Sequence, residues 1–109
     1  MKLVVAVVQD RDSQELLNGL TESGHRATKL ASTGGFLRGG NTTLLIGVAE
    51  EQLDEVLGII RRTCKAREQL VTPVSPASAT GEAFIPFPTE VVVGGAIIFV
   101  VDIERFEKY

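Results

Sequence analysis

The chain of 109 residues contains no tryptophan, one tyrosine, one histidine and one cysteine. A lone Cys64 excludes an internal disulfide and any multi-cysteine metal site, and it fits a reducing compartment. A lone His25 leaves no second imidazole for a metal pair. Aromatic residues make up 6% of the chain, too few for the stacking platforms of a single-strand binder, and the net charge of −3 argues against a polyanionic partner. Long apolar runs are missing as well. The run at residues 3–8 is stopped by Gln9 and Asp10, too short for a secretion signal and far short of the ~20 residues that span a bilayer. A cytoplasmic protein is expected, and its length fits a single domain over residues 1–109.

Carboxylates are missing from one stretch in particular. Residues 25–49 hold three cations, Arg26, Lys29 and Arg38, and no Asp or Glu, while the rest of the chain has 8 cations against 14 anions. Inside that stretch lies TKLASTGGFLRGGNTT, residues 28–43, where four glycines are interleaved with an arginine, a phenylalanine and hydroxyl and amide side chains. Glycine lets a ligand approach the main chain, and freed N–H groups and polar side chains supply donors. A positive glycine-rich loop on an acidic protein points to a small anionic ligand.

The remaining sequence supplies a frame for that loop. Residues 2–8 are nearly all apolar and β-branched, as in a central strand. Asp12 and Glu15 have the spacing of a capping box, after which Leu16, Leu17 and Leu20 share a helical face and Gly24 ends the helix. Residues 25–33 and 44–48 read as strands joined by the glycine loop as a wide hairpin. His25, at the start of its strand, reads as a surface or turn residue.

From about residue 50 to 67, Leu53, Val56, Leu57, Ile60 and Cys64 recur at helical spacing, with acids in the first turns and bases in the last, the order that complements a helix dipole. Cys64 on the apolar stripe reads as a core thiol. Residues 69–89 form a long loop with four prolines and the apolar end AFIPFP. Gly94 and Gly95 then read as a tight turn joining strands 90–93 and 96–101. The pattern is an α+β, ferredoxin-like βαββαβ sandwich with an extra strand. Its helices cover one sheet face only, so the apolar strands call for a second cover from other subunits.

Catalytic readings fit poorly. Residues 35–42, GFLRGGNT, match the phosphate-loop spacing except that Asn41 stands where the lysine belongs, and a strand follows instead of a helix. An acylphosphatase-like site has its residue types in Arg38 and Asn41, but the segment after the first strand, where that family cradles phosphate, is acidic. Non-covalent capture remains, with Arg26 and Arg38 as charges, loop N–H groups as donors, and Phe36 and Leu37 as apolar contacts to a base or to a neighbouring subunit.

The sequence resembles the PII-like cyclic-di-AMP receptors. The likeness rests on VVQDRDSQEL, RATKLASTGGFLRGGNTT, CKAREQLV and EVVVGGAIIFVVDIERF, four segments in order along the whole chain. It implies a homotrimer with sites at the subunit boundaries, a short loop at about 34–41 and a long loop at about 69–89. It further implies a non-enzymatic receptor with no cofactor and no metal, which binds cyclic-di-AMP and signals to an unidentified protein partner.

The ligand contacts implied are Arg26, Thr28, Gly35, Phe36, Leu37, Asn41 and Gly47, with Phe99 from the adjacent subunit. Gly24 and Lys108 stand where relatives can carry an asparagine and a glutamine. A small phosphate-ester or acyl-phosphate hydrolase and a CutA-type trimeric metal-binding protein are the alternatives.

Overall fold

The computed structural model describes residues 1–32, 40–71 and 89–109. In chain order they form β1 (Lys2–Gln9), α1 (Asp10–Glu22), β2 (Ala27–Ser32), β3 (Asn41–Val48), a 3-10 turn (Glu50–Gln52), α2 (Leu53–Cys64), β4 (Arg67–Val71), β5 (Thr89–Val93) and β6 (Ala96–Asp102). Four strands make an antiparallel sheet in the order β2-β3-β1-β6, and β4 and β5 make a separate two-stranded ribbon. A mixed α/β domain with this order and two helices is compatible with the expected ferredoxin-like arrangement.

Strand alternation divides the large sheet into two unlike faces. Val4, Ala6 and Val8 of β1 and Leu44, Ile46 and Val48 of β3 are buried in one core cluster with Leu16 and Leu20 of α1 and Val56, Ile59, Ile60 and Cys64 of α2. Both helices therefore lie on that face, and their apolar stripes fall where the sequence periodicity puts them. On the other face, one row runs Thr28, Leu45, Val5, Phe99 across all four strands.

Helix α1 ends as expected. The Gly24 N–H donates to the Thr21 carbonyl at 3.0 Å and the His25 N–H to the Leu20 carbonyl at 2.8 Å, the paired closure of a Schellman motif with Gly24 just beyond the helix. Its start differs from the capping-box reading. The helix begins at Asp10 behind Gln9, with no side-chain cap, and Asp12 lies inside the first turn, where its buried carboxylate receives Arg67 Nη2 at 2.9 Å. A base 55 residues away takes the carboxylate that a capping role would have aimed at the backbone.

Three further expectations are corrected. Strands β5 and β6 do not form a hairpin across Gly94 and Gly95, for β5 pairs with β4 and β6 pairs with β1. The glycines turn the chain from ribbon to sheet, and the anticipated extra strand is not in the large sheet. His25 is 7% exposed rather than at the surface, its Nε2 set 3.4 Å from Glu55 Oε1 on α2. The long connection is also shorter than read, since residues 69–71 and 89 are strand.

Among the described residues no helix is long and apolar enough to cross a membrane.

Candidate functional site: a cleft at the β2 edge

Strand β2 is the sheet edge nearest the end of α1, and its first residues open a cleft of about 720 Å³ lined by Thr21, Gly24, Arg26, Thr28, Gly47 and Phe106, among others. Each element delivers its part for a local reason. The Schellman closure turns the chain sharply at Gly24, so β2 starts beside the last turn of α1. In the β2–β3 register Thr28 faces Leu45, and Gly47 lies two residues further along β3 on the same face. Because Gly47 has no side chain, that corner of the floor stays open; a methyl group placed there would meet Met1 Cε first, at 3.8 Å.

Charge sets the cleft's preference. Among the described lining residues Arg26 is the one arginine or lysine, and there is neither Asp nor Glu. Thr28 adds a hydroxyl. Phe106 from the C-terminal segment is 63% exposed and gives the cleft an aromatic surface. That combination can hold a phosphate-bearing ligand with an apolar ring.

The cleft brings together three of the anticipated contacts, Arg26, Thr28 and Gly47. Asn41 is not with them. It is buried at the start of β3 opposite Gln9 and Ser32, six residues or roughly 20 Å along the strand from Gly47. Phe99 lies on the same row as Thr28 but on β6, three strand spacings or roughly 14 Å away. Gly35, Phe36 and Leu37 lie outside the described residues, as do the other glycine-loop positions 33–39.

Phe106, Thr21 and Leu45 also line the cleft. Nothing in the sequence marks Phe106 for it, since the tail has no period; Thr21 and Leu45 follow only once the helix end and strand register are known.

Chemistry beyond binding finds few participants. Cys64 is fully buried, and burial pushes its thiol up to about 12, which removes the thiolate a nucleophile needs. Among the described residues no three His, Cys, Asp or Glu side chains are grouped as metal ligands would be.

The described residues thus form a small α/β domain whose edge cleft holds an arginine, a threonine and an aromatic ring. The profile of a family described as "Cyclic-di-AMP receptor" matches residues 1–109. The chain belongs to the cyclic-di-AMP receptor family, a binding and signalling family. It is also similar to a crystal structure of a functionally unknown protein from Pediococcus pentosaceus, at 42% identity and a TM-score of 0.82, covering 99% of this chain and 96% of that one.

Proposed function

We propose that this protein is a non-enzymatic, cytoplasmic receptor that binds cyclic-di-AMP between subunits of a homotrimer and passes the signal to a protein partner. The observation that carries this reading is the cleft, where Arg26 lines the wall with Thr28 and Gly47 and no carboxylate is among the described lining residues. Arg26 holds a phosphate of the ligand, Thr28 donates a hydrogen bond, and Gly47 leaves room for a base.

The boundary position has its own support. On the sheet face away from the helices Leu30 is 44%, Phe99 47% and Val101 49% exposed, an apolar surface of the kind that marks association. A neighbouring copy seated there brings its own Phe99 toward this chain's cleft, which a single chain does not do. Gly35, Phe36, Leu37 and Asn41 complete the ligand contacts in this reading, and ligand binding changes the conformation of the β2–β3 and β4–β5 connections and so the surface offered to the partner.

Calorimetry against cyclic-di-AMP, cyclic-di-GMP and ATP in parallel tests the receptor reading. Saturable heat is expected with cyclic-di-AMP, and Arg26→Ala weakens it by about 1.5–3 kcal/mol, the value of a charge-assisted hydrogen bond. No heat with cyclic-di-AMP overturns the reading.

A further inference from the structure

The end of the sheet opposite the cleft holds a second cluster of polar groups, and they belong to three elements that are distant in sequence. All of them meet the junction of β1 with α1. Gln9, the last residue of β1, accepts the Gly94 N–H on Oε1 at 2.6 Å. The Asp10 N–H donates to the Gly40 carbonyl at 3.2 Å, and Asp10 Oδ1 accepts the Thr42 hydroxyl at 2.5 Å. Asp12 receives Arg67 through both guanidinium branches, at 2.9 Å and 3.4 Å.

These contacts have little slack. A Cβ at Gly40 would lie 2.6 Å from Asp10 Oδ2, and one at Gly94 would lie 2.5 Å from Arg67 Nη1 and 2.8 Å from the Lys65 carbonyl. Both glycines permit backbone to approach side chains that any larger residue would displace. Gly95 adds a main-chain bond to the Cys64 carbonyl, fixing the ribbon to the end of α2. Gln9, Asp12 and Thr42 are each under a tenth exposed, so these polar groups are held away from water and rely on protein partners, among them the Gly94 N–H, Arg67 and Asp10 respectively.

The same helix reaches both ends of the domain. Helix α1 is 13 residues long, Asp10–Glu22, a rod of roughly 20 Å. Its last turn gives Thr21 to the cleft, while its first turn holds the end of the β2–β3 connection through Asp10 and the base of the β4–β5 ribbon through Asp12. Strand β3 makes the same journey, from Thr42 at the cluster to Gly47 in the cleft.

We propose that the β1–α1 junction is a mechanical hub, in which Gln9, Asp10 and Asp12 are positioning residues that tie the β4–β5 ribbon to the base of the β2–β3 connection. The link to cyclic-di-AMP rests on the receptor reading above: a ligand that seats against Thr21 and the start of β2 fixes α1, and α1 fixes the ribbon through the Asp12–Arg67 pair. Rigid elements with hydrogen-bonded ends carry such coupling. By reciprocity, a ribbon held by a partner protein tightens ligand binding by the same factor.

The test is amide hydrogen exchange on the full chain, first without ligand. Thr42→Val removes the hydrogen bond to Asp10, a bond in which no ribbon residue takes part, yet it is expected to speed exchange at residues 67–71 and 89–93 by about threefold or more, as local opening spreads through one cooperative unit. Arg67→Gln is expected to do the same at residues 40–43, and Arg67→Lys, which keeps the charge at Asp12, to recover part of the protection. Changes confined to the mutated side of the hub overturn it. Should Arg67→Gln fail to fold, Thr42→Val and Arg67→Lys still decide.

With cyclic-di-AMP present, the wild type is expected to gain protection in the ribbon, whereas Arg67→Gln binds within about fivefold of wild type but loses that gain, the range of a modest coupling energy. Ribbon protection that persists in Arg67→Gln overturns the coupling. Absence of binding by the wild type removes the receptor reading instead, and the ligand-free exchange still decides whether the hub exists.

Discussion

The two faces of the large sheet are built from the same strands and the same kinds of side chain, yet their surroundings are opposite. On the helix side, Val4, Ala6, Val8, Leu44 and Ile46 have no exposure at all. On the other side, Leu30, Phe99 and Val101 stay between 44% and 49% exposed. Both faces are apolar, and among the described residues helices lie on only one. A strand such as LVVAVV that is apolar at every position encodes two covers, and in the proposed homotrimer the second comes from a neighbouring copy.

Mutations on the two faces should therefore fail in different ways. The largest effect belongs to the covered face. Leu16→Ala removes a fully buried side chain from between helix and sheet and is expected to cost about 2–5 kcal/mol of folding stability, read by chemical denaturation. Phe99→Asp on the open face is expected to leave the fold in place and to dissociate the proposed homotrimer, since the transfer of one such side chain out of an interface is worth about 1.5–3 kcal/mol per subunit. Sedimentation velocity measures it, and an unchanged oligomer in Phe99→Asp breaks the comparison.

The smallest effect sharpens the covered side. Cys64 is buried there with its thiol pushed up to about 12 by burial, so the folded chain is expected to resist thiol reagents at mildly alkaline pH and to react only on unfolding. The unfolded thiol ionises near ~8.5. Stability from keeping Cys64 neutral is therefore complete below that value and declines as pH climbs toward about 12. Rapid labelling of the native chain would place Cys64 outside the core.

What the sequence reveals of this fold is whatever local pattern controls. The stripe Val56, Ile60 and Cys64 is buried as its spacing implies, and Gly24 ends α1 because the chain must reverse there. The misreadings share another cause. Asp12, His25 and the Gly94-Gly95 pair are each placed by partners far along the chain: Arg67, Glu55, and Gln9 with Cys64. No window of neighbouring residues contains those partners, so a capping box and a tight hairpin looked complete without them.

The candidate site divides in the same way. Arg26 was legible because it lies in the carboxylate-free stretch, and Thr28 through the family resemblance. Phe106 was not, because its place depends on where the tail passes the edge of the sheet. Asn41 shares a face with Gly47 by alternation, but alternation carries no information on distance along the strand, and the two stand at opposite ends of β3.

The central place of β1 has a consequence for how the domain is made. One of its edges meets β3, while the other meets β6, where Lys2 faces Asp102 and Val8 faces Ala96. During synthesis the first strand must therefore keep one edge unpaired until residues 96–102 have left the ribosome. Contacts across such a sequence separation form late and slow folding, and an unpaired apolar strand is open meanwhile to mispairing with other nascent chains. The helix α1 that follows at once on β1 shields one of its faces during that interval.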